Sequence, residues 1–152
     1  MSDAINTGEN ESMDDADVAY VSGMAAFESK HFNQAMHFLL PVAEKGDTEA
    51  QHRCAIMFQN GLGTVVNETK AVELMSAAAE QGHALAQHGL GFMYMEGECV
   101  EQNSEEAVKW FKKAADQGLV GSLTTLAMMY EKGLGVEKDP EEAKRLYKQA
   151  GF

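Results

Sequence analysis

The chain has 152 residues, enough for one domain with a sizeable core and too few for two independent globular units. Acidic residues outnumber basic ones 24 to 12, and the formal net charge of -12 argues against a phosphate backbone or an anionic lipid surface as the principal partner. No stretch approaches the roughly 18 uninterrupted apolar residues of a membrane span, and no basic segment followed by an apolar run opens the chain, so a soluble, cytoplasmic protein is expected.

The first seventeen residues hold six acids (Asp3, Glu9, Glu11, Asp14, Asp15, Asp17), no Lys or Arg, and few apolar side chains to bury. Residues 1–14 are therefore predicted to form a disordered acidic tail, and residues 15–152 a single domain. From Asp15 to Ser29 small and apolar residues (Val18, Ala19, Val21, Gly23, Ala25, Ala26) suit a helix that approaches a neighbour closely. A second helix, Phe32 to Lys45, follows with the stripe Ala35, Phe38, Leu39, Val42 and Ala43, and Gly46 stops it.

From Thr48 onward one pattern recurs at an interval of 36 residues. First helices carry Ala50, Cys54, Ala55, Met57 and Phe58, then Ala86, Leu90, Gly91, Met93 and Tyr94, then Ser122, Leu126, Ala127, Met129 and Tyr130. A glycine-punctuated loop follows each, and an N-cap residue stands at one place in every copy: Asn67, Asn103, Asp139. Asn103 with Glu106 and Asp139 with Glu142 have capping-box spacing. Second helices present Ala71, Leu74, Met75, Ala78 and Ala79, and their equivalents, and the first two end at Gly82 and Gly118. The shorter pair before Thr48 keeps the register, with Ala35, Ala43 and Gly46 lying 36 residues before Ala71, Ala79 and Gly82. One such pair cannot bury its apolar stripe alone, so the pattern predicts an all-α solenoid of four antiparallel helix pairs.

The strings CAIMFQNGLG, LGFMYMEGE and LAMMYEKGLGV, each followed by a capped helix, resemble the Sel-one-like repeat family, a branch of the tetratricopeptide-like α-solenoids. The resemblance implies a right-handed superhelix and an adaptor that gathers other proteins into complexes. Some members of that family carry cysteine-bridged repeats. Here Ala78-Ala79 and Ala114-Ala115 stand where the bridge would need a thiol, so that implication does not carry over. Cys54 and Cys99 lack paired metal or disulfide spacing, and no pairing is predicted.

In this architecture the first helices line the concave face. Counting two residues back from Phe58, Tyr94 and Tyr130 gives a ladder of apolar rungs, Ile56, Phe92 and Met128, with Met24 in the first pair. A second ladder lies four residues earlier (Tyr20, His52, His88, Thr124) and a third lies three later (Phe27, Gln59, Met95, Glu131). These residues read either as a methionine-bearing groove for a partner peptide or helix, or as core covered by helix packing. His52 and His88 occupy equivalent positions, but an intervening helix strains joint ligation of one ion. They read as polar rungs or solvated histidines, and no metal or cofactor is expected.

HALAQH lacks the glutamate of a zincin helix, the GLG segments lack the end of a phosphate loop, and no nucleophile elbow is present. A non-catalytic protein is expected. At the C-terminus Leu146, Tyr147 and Phe152 offer apolar surface, either for a homodimer through the solenoid end or for folding back on their own repeat.

Overall fold

A computed structural model describes residues 14–152. The predicted tail lies outside the described residues except at its last position: Asp14 is the N-cap of the first helix, its carboxylate accepting from the Asp17 amide at 2.8 Å.

Among the described residues there are eight helices and no strand: α1 Asp15–Glu28, α2 Phe32–Glu44, α3 Thr48–Asn60, α4 Glu68–Glu80, α5 Ala84–Glu96, α6 Ser104–Asp116, α7 Val120–Lys132 and α8 Pro140–Gln149. Each odd helix packs on the even helix that follows it, and each even helix on the next odd one; α1 also reaches past α2 to touch α3. This nearest-neighbour packing is the expected all-α solenoid of four helix pairs.

The caps fall where the repeat places them. Asn67, Asn103 and Asp139 accept from the backbone amides of Lys70, Glu106 and Glu142 at 3.0–3.1 Å. The second arm of the expected capping boxes, from glutamate back to the cap amide, is not made. The cap amides of Asn67, Asn103 and Asp139 instead donate to the carbonyls of Phe58, Tyr94 and Tyr130 at 2.8–2.9 Å. Each cap residue thus stitches the end of the first helix to the start of the second. Glu106 and Glu142 turn outward to Lys109 and Arg145.

Close approach is achieved by pairing small with large. A Cβ on Gly91 of α5 would overlap the ring of Phe111, which is fully buried in α6. The buried apolar residues form two clusters, and Tyr94 packs against both, so the core runs through the stack.

A buried polar ladder accompanies it. Gln51 donates to the Ala43 carbonyl (3.2 Å) and Gln87 to the Ala79 carbonyl (3.1 Å), capping the end of the preceding second helix. Gln81 and Gln117 in turn donate to the side-chain oxygens of Gln51 and Gln87 at 2.8 and 2.9 Å. In the last repeat Leu123 replaces the glutamine and is buried as a hydrocarbon.

The loops contact the previous pair. Gly63 and Gly135 have φ of 66° and 69° and lie directly against the backbone of Phe32 and Ser104, the first residues of α2 and α6. In the middle repeat the same left-handed position is taken by Cys99, at φ 64°. Gly63→Ala should therefore destabilise the fold by at least about 2 kcal/mol, since a side chain there meets both an unfavourable φ and backbone atoms. Cys99→Gly should be neutral or stabilising by up to about 1 kcal/mol. Paired urea unfolding curves check both; equal and opposite-signed results would mean the loop does not press on the neighbouring helix.

Candidate functional site

The four central rungs, Met24, Ile56, Phe92 and Met128, are all half-buried. Met24 and Ile56 pack against the first core cluster, and Phe92 and Met128 against the second, while part of each side chain stays at the surface. Phe92 is the most firmly held: its ring stands edge-on to His88 (4.9 Å between centroids) and to Phe111 (5.1 Å).

The flanking ladders are more heterogeneous. Tyr20 is half-buried, and the Thr124 hydroxyl donates back to carbonyls of its own helix at 3.0–3.2 Å. His88 holds the Ser122 hydroxyl at 2.7 Å from its Nδ1. Phe27 lies beneath the guanidinium of Arg53 (4.9 Å from the ring centre) and edge-on to Phe32 at 5.5 Å. Gln59 donates to Glu98 of the next repeat at 3.0 Å, Met95 packs against the second cluster, and exposed Glu131 accepts from the Tyr147 hydroxyl at 3.0 Å.

His52 departs from the expected rung. It is only 7% exposed, and its ring lies tilted against that of His83 with centroids 4.7 Å apart. The 36-residue register pairs His52 with His88, but the structure sets it against His83. His83 is the N-cap of α5, at the position Asp47 holds for α3: the Ala86 amide donates to its Nδ1 at 3.1 Å. With Nδ1 accepting, the ring proton sits on Nε2 and is donated to Glu49, 3.0 Å away. One ligand-capable atom each from Glu49, His52 and His83 thus lies within 4.8 Å of the other two. This grouping was hidden from the repeat alignment because it joins non-equivalent positions. The signal available was the replacement of an acidic cap by histidine at 83.

His52 Nδ1 is sealed from solvent without a hydrogen-bond partner, as are Arg53 Nε and Trp110 Nε1. Burial, reinforced by His83 and Arg53, pushes the His52 pKa down to about 4. Burial also lowers that of His88 and raises the Cys54 thiol to about 12. The stability consequence follows from the sign of the His52 shift. An unfolded imidazole takes up a proton near pH 6.5, whereas the folded one resists until about 4. The stabilisation from keeping His52 neutral is complete above pH 6.5 and falls as the pH drops through that window, by on the order of 3 kcal/mol. Urea unfolding at pH 7 and pH 4.5 should show this loss for wild type and a smaller one for His52→Leu. Identical pH slopes in the two proteins would refute it.

At the C-terminal end, Leu146 is 3% exposed and belongs to the core, so it is not the surface residue expected for self-association. Tyr147 is half-buried and tied to Glu131. Phe152, 82% exposed, stands 6.5 Å from the Tyr147 ring centre. Among the described residues no helix is long and apolar enough to cross a membrane.

The sequence profile of the Sel1 repeat matches residues 48–83, 84–119 and 123–151. Among solved structures, a Sel1 repeat protein from Oxalobacter formigenes superposes with a TM-score of 0.82 at 31% identity, covering 87% of this chain and 53% of its own. The c5321 protein, a protective antigen present in uropathogenic Escherichia coli strains and displaying an SLR fold, superposes at 0.84 with 32% identity, covering 89% of this chain and 30% of its own. Helicobacter pylori cysteine rich protein B shares the fold at a TM-score of 0.62 and 18% identity, covering 79% of this chain and 86% of its own. The chain thus spans about half the length of the first relative and under a third of the second. No curated protein matches the sequence.

Proposed function

The chain belongs to the Sel1 repeat family, and we propose that it works as a non-catalytic, cytoplasmic adaptor that holds a partner peptide or helix along the face formed by its first helices. The observation that carries this reading is the ladder Met24, Ile56, Phe92 and Met128: four apolar side chains, one per helix pair, each anchored in the core on one side and exposed on the other. Half-burial fixes their position while leaving apolar surface to be covered, and the flexible methionines adapt to more than one shape. Glu98 and Glu131 flank the ladder in a chain of net charge -12, which suits a partner with apolar anchors and basic flanks.

Among the described residues the Ser122–His88 pair is no reactive centre, which supports a non-catalytic role. Ser122 sits within hydrogen-bonding distance of His88 but is 0% exposed, so its hydroxyl has no path to a substrate. Self-association through the C-terminal end has less in its favour, since Leu146 is in the core and Phe152 alone is broadly exposed.

Phe92→Glu and Met128→Glu should each weaken retention of partner proteins by roughly 30-fold or more, about 2 kcal/mol, as expected for central anchors. Circular dichroism should show unchanged helicity in Met128→Glu. A pull-down in which both variants retain the wild-type set of proteins would sink the groove. Sedimentation should show a monomer for wild type and Phe152→Ser alike; a dimer lost on that substitution would favour the C-terminal interface instead.

A further inference from the structure

The geometry points to a second site, independent of the groove: Glu49, His52 and His83 bind one divalent transition-metal ion of the zinc class between two successive repeats. Glu49 and His52 lie three residues apart on the first turns of α3 and so share one face of that helix. His83 comes from the neighbouring pair, at the start of α5. Two imidazoles and a carboxylate are a recognised zinc set that leaves a fourth position open. Imidazole donors also suit nickel, copper and cobalt, whereas magnesium and calcium prefer all-oxygen sites.

The distances are close to what an ion needs. His83 Nε2 and Glu49 Oε1 are 3.0 Å apart. A tetrahedral ion with bonds of about 2.0–2.2 Å holds its ligands roughly 3.3 Å from one another. All three ligand atoms already lie within 4.8 Å of one another, so only a modest closure of the widest pair is needed. The independent sign of a missing ligand is His52. Its side chain is more than nine-tenths buried and its Nδ1 has no partner, although leaving a solvent-sealed nitrogen unpaired is unfavourable.

Binding rearranges one proton. Neutral His83 now carries its proton on Nε2, pointed at Glu49, while Nδ1 accepts from Ala86. For Nε2 to give its lone pair to an ion, the proton moves to Nδ1 and the Ala86 cap bond is given up. The ion also sits near the positive ends of α3 and α5. Glu49, ionised and directly ligating, offsets that charge, and the chain as a whole is acidic. The result is a clamp from the second helix pair to the third.

The test uses the metal-free full chain, stripped with a chelator and titrated with zinc chloride by calorimetry, with cobalt(II) absorption as a report on coordination. Saturable binding of one ion per chain is expected, with a rise in melting temperature and a tetrahedral cobalt spectrum. His83→Asn keeps a good N-cap but removes the imidazole, and Glu49→Gln keeps shape but removes the charge. Each should weaken zinc by at least about tenfold while the metal-free melting temperature stays near wild type. His31→Gln and His37→Gln, which alter exposed histidines elsewhere, should bind as wild type does. No saturable binding, equal affinity in His83→Asn, or loss of binding in the His31 or His37 variants would each overturn the assignment.

Discussion

A helix pair of about three dozen residues carries apolar surface on more sides than its two helices can cover for each other. Ala71, Leu74, Met75, Ala78 and Ala79 on α4 are buried partly against α3 of their own pair and partly against α5 of the next. Burying such a stripe is the main favourable contribution available to a chain with few other cross-links, so no pair is stable alone and each is completed by its neighbour. The stacking distance is then set by the smallest residues at the contacts. Among the glycines, Gly63 on the backbone of Phe32, Gly135 on that of Ser104 and Gly23 under Leu39 are the tightest points, and each lies where one helix or loop meets another.

This constraint divides the molecule into faces with different freedom. The sides of the helices turned to neighbouring pairs are committed to alanine, methionine and leucine. The glutamine ladder adds a directional element there: Gln51 and Gln87 occupy the carbonyls at the end of the preceding second helix, and the amides of Gln81 and Gln117 hold them in place. A hydrocarbon at this position is compatible with the stack, as Leu123 shows. The exposed side of the first helices carries no such commitment, and there residue type changes from rung to rung.

The helix pairs, their caps and the core were legible in the sequence because they repeat: a glycine, a cap and an alanine pair recurring together every 36 residues leave little choice of architecture. The site was legible only in part, for a physical reason. Periodicity identifies residues that do the same job in each repeat, and it placed Ile56, Phe92 and Met128 at equivalent half-buried positions. It could not foresee that His52 turns inward to His83, because that contact joins the second turn of one first helix to the cap of the next. It also missed that Glu106 and Glu142 are not needed by the cap amides, which are already held by Tyr94 and Tyr130 carbonyls three-dimensionally adjacent but distant in the motif.

Where a repeat departs from its own pattern, the departure marks something the stack does not require. Three such places stand out against their equivalents: Cys99 among the loop glycines, Leu123 among the buried glutamines, and His83 among the helix caps. The first is a backbone position that glycine fills without strain, and the second a polar contact whose partner carbonyl lies at the end of α6. The third is different in kind. Asp47 caps α3 with a carboxylate, and an aspartate at 83 would cap α5 equally well. Histidine there keeps the cap and adds a second ring nitrogen, aimed at Glu49, with its ring tilted against a buried imidazole whose Nδ1 lacks a hydrogen-bond partner. A helix cap has no use for that second nitrogen, so the reason for histidine at this position lies in what the nitrogen faces.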